Sequence, residues 1–234
     1  MARNRQGELR FKSWGGQRAH SGRKPGGARI GALHRARPEH RDRHPVLASW
    51  SLLPHVWNLR AGRTFRVIRR AFAAGCDRGD AFRLVHFSVQ GNHLHLLVEA
   101  RDKRALANGL RALGIRIARA LNAVMARRGQ VLARYHARAL ASPREVRDGL
   151  VYLFHNEKKH ALQYGKPLPR GYVDPCTSAA WFHGWKEKSA PPPPSAPAEV
   201  AAARTWLLVA GWRRHGLISI HEMPRVGRAR AAHA

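Results

Sequence analysis

The stretch from Ala81 to Ala100, AFRLVHFSVQGNHLHLLVEA, constrains the chain most. It is rich in Phe, Leu and Val and is interrupted at Gly91-Asn92. Two such runs around a Gly-Asn turn predict antiparallel strands over 81–89 and 93–99. Strand residues two apart share a face. Leu94, Leu96 and Val98 are therefore expected in a core, with His93 and His95 projecting side by side on the opposite face beside Leu97. The chain holds 15 histidines, so two satisfied surface imidazoles are one reading. A same-face pair on a central strand also suits a metal ion, because neutral imidazole is a frequent ligand. Two ligands do not complete a site, so a third group has to come from another element.

The flanking pattern supplies a fold. HPVLASWSLL (44–53) reads as a strand with Val46, Ala48, Trp50 and Leu52 on one face. Phe65, Ile68 and Phe72 follow at helical spacing, with Gly75 as a stop. Asp102 is a candidate N-cap for a long helix carrying Leu106, Leu110, Leu113, Ile117, Leu121 and Val124 and ending at Gly129. VLARYHARAL (131–140) predicts a fourth strand, with Leu132, Arg134, His136 and Arg138 on one face. A capping box at Ser142 and Glu145, Pro143 in the first turn and Gly165 as terminator bracket a last long helix. The order strand–helix–strand–strand–helix–strand–helix predicts an α+β fold. The expected form is a ferredoxin-like sandwich, an antiparallel sheet with helices on one face, plus an added C-terminal helix.

Around this domain, taken as 44–165, the composition changes. Residues 1–43 are Gly- and Arg-rich and read as a disordered basic arm. Residues 166–197 read as an irregular segment closing in the stiff linker APPPPSAP. Residues 198–234 are expected to hold a short helix (198–216), with Leu208 and Trp212 one turn apart, and a basic tail.

Lys and Arg number 43 against 14 Asp and Glu, a formal charge of +29. Such a field repels itself unless a polyanion neutralises it, which makes nucleic acid the expected partner. No apolar run of 18 or more residues and no signal-peptide pattern is present, so no membrane is expected. Cys76 and Cys176 form no CxxC pair, which argues against zinc-ribbon and disulfide-framework readings and fits a reducing cytoplasm.

On the helix from 143 to 164, Val146, Leu150, Leu153, Phe154 and Ala161 form the apolar stripe. At ~100° per residue, Tyr152 lies roughly 150° from its centre, and Asn156 follows one turn on. Lys159 continues the row. This face is expected to lie off the core. It reads either as ordinary solvent-facing residues or as a nucleophile presented beside a metal ligand.

Taken together, NHLHLLVE (92–99), RYHARAL before the last helix, and Tyr-x-x-x-Asn on that helix resemble the single-tyrosine HUH transposases. The likeness is to the insertion-sequence-200-like and REP-associated tyrosine transposase family of bacteria, over roughly residues 44 to 165. Gly91 stands where members often have Pro, and Glu157 where many have Pro. The resemblance implies cleavage and rejoining of single-stranded, hairpin-associated DNA with Mg²⁺ or Mn²⁺. Tyr152 would be the nucleophile, forming a 5′-phosphotyrosine, and His93, His95 and Asn156 the metal ligands. Lys159 is a candidate cation beside the tyrosine. Arg134, His136 and Arg138, with Arg111, Arg116 and Arg119 on the long helix, are candidates for tracking DNA phosphates. The setting implied is the bacterial cytoplasm and nucleoid. Action in one subunit or across a homodimer is left open. Two competing classes are a non-catalytic nucleic-acid-binding protein on the same fold and a zinc hydrolase. The latter lacks a carboxylate or cysteine at a convincing spacing.

Overall fold

The computed structural model describes residues 40–187 and 198–224. The sequence expectations for 1–39, for the proline-rich linker at 188–197 and for the tail beyond 224 lie outside the described residues. Strands β1 (Val46–Ser51), β2 (Phe82–Val89), β3 (His93–Ala100) and β4 (His136–Ala139) alternate with helices α1 (Gly62–Ala73), α2 (Lys103–Val124) and α3 (Pro143–Gln163). The sheet order is β2-β3-β1-β4, and every pairing is antiparallel. This is the α+β sandwich expected from the element order: β3 lies between β1 and β2, the two strands that α1 connects.

Both faces of the sheet are covered, which explains why β2 is buried along its whole length. On one face Val46, Ala48 and Trp50 of β1 and Leu94, Leu96 and Val98 of β3 pack with Ile68 and Phe72 of α1 and the Leu106–Leu121 stripe of α2. Each such large side chain contributes about 1.5–3 kcal/mol by leaving water. The approach of α2 is close enough that a Cβ on Gly109 would stand 2.1 Å from the Phe82 ring. On the other face Leu97 and Val85 pack with Val146, Leu150, Leu153 and Phe154 of α3.

That second core continues past residue 165. Phe182, Trp185, Leu208, Trp212 and Ile218 belong to it. The segment is anchored by polar contacts as well. Glu99 of β3, 1% exposed, accepts from the Arg83 guanidinium and from the backbone N–H groups of Arg204 and Thr205. The outer edge of β2 is closed by the same region, through Val89 N to Cys176 O (2.8 Å), Ser178 N to Phe87 O (3.0 Å) and Ala201 N to Leu84 O (2.8 Å). A covered edge leaves no row of free donors and acceptors for another strand. At the N-terminal side the described chain is in contact from its first residue, His40 Nε2 lying 2.6 Å from Ala100 O.

The termini of the helices follow local chemistry. Asp102 accepts from Ala105 N (2.7 Å) as the N-cap of α2. Ser142 and Glu145 form the reciprocal capping box of α3. Gly165, at φ +66°, closes α3 with Lys166 N bonded to Ala161 O (2.8 Å); such a left-handed residue is one that glycine adopts without steric cost.

Three sequence expectations are corrected. The α2 helix ends at Val124 rather than at Gly129, because Ala126 turns to φ +50° and breaks the ladder. The fourth strand is four residues, not 131–140. Ser49 pairs with His136 but Leu52 bridges to Leu132, so one extra residue on that side forms a bulge. The bulge also breaks the alternation that put Leu132, Arg134, His136 and Arg138 on one face. The helix expected over 198–216 is a short α4 (Trp206–Val209) followed by a 3-10 turn over Gly211–His215.

Candidate active site

His93 and His95 begin β3 on the face that α3 covers. The β1–β3 register places Ser49 opposite His95 and Ser51 opposite His93. Ser49 Oγ lies 2.9 Å from His95 Nδ1, and Asn92 Oδ1 lies 2.8 Å from His93 Nδ1. An amide oxygen only accepts, so His93 donates from Nδ1 and its Nε2 keeps a lone pair. The imidazoles stand edge to face, 4.7 Å between ring centroids. Burial, more than the neighbouring His160, holds the His93 pKa below its ordinary value. Burial, then His93 and His160, pushes His95 down to about 3. Both rings are thus neutral near pH 7, the form that ligates a metal.

The turn carrying Asn92 is fixed by the loop after β1. Leu59 N bonds Gly91 O and Leu52 N bonds Asn92 O, each at 2.9 Å. Arg60 adds Val89 O at 3.0 Å and a two-pronged contact to the buried Asp174 at 2.8 and 2.9 Å. Its guanidinium also lies 3.6 Å from Glu157 of α3, so one side chain links the turn to the helix facing it.

From α3, Tyr152 brings its hydroxyl to 3.3 Å from His95 Nε2, the rings 5.0 Å apart. Burial raises its pKa above that of a free phenol. Asn156 follows at i+4 and is 1% exposed, with neither amide atom hydrogen-bonded. A buried amide without a partner costs free energy unless something takes its place. His160, at i+8, lies 6.0 Å from the His93 ring. Residues four apart on a helix stack along one face. With Tyr152 over His95 and His160 over His93, Asn156 lies between them along α3. The expectation that this face of α3 lies off the core is therefore corrected: it packs on the second face of the sheet.

The donor set fits a divalent ion in kind. It offers two neutral imidazoles held through Nδ1, as ligating histidines commonly are, and an orphaned amide oxygen. Among the described residues, no group of three or more His, Cys, Asp or Glu side chains is placed to hold a metal ion, so a third donor beside the two imidazoles would have to be of another kind, as the Asn156 amide oxygen is.

The remaining candidates divide. His136 and Arg138 pair with Ser49 and Leu47, putting both exposed side chains on the His95 face. Arg134 is exposed beside the bulge. Arg111, Arg116 and Arg119 are exposed on α2, in the layer on the opposite face of the sheet, and are not brought to the site. Lys159 is half-buried and makes no hydrogen bond or ion pair with Tyr152. The sequence reading missed His160, Ser49 and Asn92. His160 was legible as the next residue of the Tyr152–Asn156 row. Ser49 was not, because its place depends on a strand register set by long-range packing.

No family model matches this chain, and no curated protein does. Among solved structures it is similar to a "REP associates tyrosine transposase bound to a REP hairpin", at 12% identity and a TM-score of 0.47, over 62% of this chain and 81% of that one. The likeness assigns no residue a role. Among the described residues, no helix is long and apolar enough to cross a membrane.

Proposed function

We propose that this chain is a metal-assisted tyrosine endonuclease and strand transferase, acting on single-stranded, hairpin-associated DNA. The observation that carries this reading is the meeting of Tyr152 with the His93–His95 pair, the Tyr152 hydroxyl 3.3 Å from His95 Nε2. Asn156 would complete the donor set one helical turn on. Held by His93, His95 and Asn156, Mg²⁺ or Mn²⁺ would supply Lewis-acid polarisation of a phosphate oxygen.

Tyr152 releases its phenolic proton to solvent as its oxygen attacks phosphorus. The bond from phosphorus to the 3′ oxygen breaks, and that oxygen takes a proton from solvent. The products are a 5′-phosphotyrosine and a free 3′-OH. Attack by another 3′-OH reverses the step and rejoins a strand. A buried phenol is a weak nucleophile, and the charge of a divalent ion held by the histidines would favour its phenolate. His136 and Arg138, exposed on the same face, would hold backbone phosphates.

The test uses end-labelled single-stranded DNA with a hairpin. Wild type with Mg²⁺ or Mn²⁺ is expected to give a denaturation-resistant protein–DNA adduct, lost in excess chelator and in His93→Ala. An adduct that persists in chelator argues against the metal. DNA binding with no adduct under any divalent ion favours a non-catalytic binding protein.

A further inference from the structure

Trp206 opens α4 with half its surface exposed, at 51%. Its position is held firmly: a Cβ on Gly211 would stand 2.7 Å from the indole ring, so the ring is seated on that backbone. The Arg214 guanidinium lies over the same ring, 4.8 Å from its centroid. Trp206 also walls a cleft of about 320 Å³ with Arg43, His44, Ala141, Pro143 and Leu207. No acidic side chain lines this cleft; on its other side Trp206 borders a second cleft where Asp42, Asp80 and Glu99 are matched by Arg43, Arg83, Arg101 and Arg204. An indole half exposed over Gly211 and beside Arg214 is no part of the core, whose tryptophans on this side are Trp185 and Trp212, 9% and 1% exposed.

The patch lies at the end of α3 away from the histidines. Tyr152 stands nine residues beyond Pro143, or about 14 Å along the helix. Along the open edge of the sheet, His136 and Arg138 of β4 are exposed on the His95 face, and the strand runs from His136 toward Ala141 in the cleft wall. Exposed His136 and Arg138, the latter 3.5 Å from Glu145, therefore lie between the level of His95 and the cleft wall.

We infer that Trp206 and Arg214 form a stacking platform for an unpaired base of the single-stranded DNA that enters the tyrosine site along β4. Both an indole and a guanidinium plane accept a base face. The flanking Arg43 and Arg214 match the backbone's charge, whereas an acidic peptide would use the cations and leave the indole idle. This inference rests on the reading of the chain as an enzyme of single-stranded DNA. Its test is kept separate by measuring binding in chelator, without reference to cleavage.

The full chain is titrated with single-stranded DNA carrying 2-aminopurine, with polyglutamate as the competing polyanion. Trp206→Ala is expected to weaken DNA binding on the order of tenfold. It should abolish 2-aminopurine quenching and leave both the salt slope and polyglutamate binding as in wild type. At saturating DNA and Mg²⁺ it should still form the covalent adduct. Arg214→Gln should weaken binding and also flatten the salt slope. Trp206→Phe keeps a smaller ring over Gly211 and serves if the alanine variant melts early; it is expected to retain the quench at reduced affinity. Wild-type affinity in Trp206→Ala and Trp206→Phe, or an equal loss on polyglutamate, would overturn the platform.

Discussion

Tyr152 and His95 face each other at 3.3 Å, and the difference between a structural and a chemical tyrosine rests on one oxygen. Tyr152→Phe removes only that oxygen from a half-buried position. It is expected to leave the melting temperature and DNA affinity near wild type and to eliminate strand cleavage on a denaturing gel. His95→Ala is expected to be as inactive, whereas Asn156→Ala should keep part of the activity, since water can replace an amide oxygen in a coordination shell. Asn92→Ala leaves both proposed ligand imidazoles in place but unties His93 Nδ1. It should weaken metal affinity ~10–100-fold, as removal of such outer partners does, with isothermal titration of Mn²⁺ as the readout. A histidine outside the site adds to the response to acid. His86 lies fully inside the second core, its ring against Phe154 and Phe182 and its Nδ1 3.1 Å from Ser178 Oγ. Burial first, and His183 second, lower its pKa to about 3. Unfolded, it titrates near 6.5. Above pH 6.5 both states are neutral and stability is complete. Between 6.5 and 3 the unfolded state binds the proton that the folded state refuses, so stability falls with pH. At pH 5 this loss is on the order of 2 kcal/mol for His86 alone. Urea midpoints at pH 8 and 5 measure it, and a His86→Gln variant should show a smaller drop.

At the scale of elements, the sequence was most legible where local chemistry decides. The capping box of α3, the Asp102 cap and the β2–β3 turn each follow from adjacent residues, and all three are present. Legibility failed where a partner decides. The β4 bulge is a mismatch with β1, which no pattern within 131–140 reveals. The face of α3 that carries Tyr152 and Asn156 was misread because its cover is the His93–His95 end of β3, far along the chain and set by long-range packing rather than by periodicity. Of the site, the His93–His95 pair and the Tyr152–Asn156 spacing could be read, while the Ser49 contact could not. The tight layer between α2 and the sheet gives a prediction of its own. Gly109→Ala gains up to about 1 kcal/mol of helix propensity, but its methyl would collide with Phe82, a ring only 1% exposed. Overpacking of about 1–3 kcal/mol is expected to win, seen as a lowered urea midpoint with an unchanged slope.

For the whole molecule, the charge of +29 and the placement of the site have to be considered together. Basic residues occur on both faces of the sheet, so on the proposed reading the field would attract DNA generally, and the His95 face with exposed His136 and Arg138 would set where a strand is held. Affinity for single-stranded DNA should therefore fall linearly on a log–log plot against salt. Residues 1–39 carry ten Lys and Arg against two Glu. Their deletion is expected to flatten that slope and weaken binding while leaving cleavage at saturating DNA intact. A lowered melting temperature with an unchanged slope would instead make the segment part of the fold. The most direct measurement is mass spectrometry of the protease-digested covalent complex formed with single-stranded DNA and Mg²⁺. The expected spectrum carries a nucleotide joined through its 5′ phosphate to Tyr152, in the α3 peptide. A nucleotide on another residue, a 3′ linkage, or no adduct from protein that binds the DNA would contradict a tyrosine nucleophile at this site.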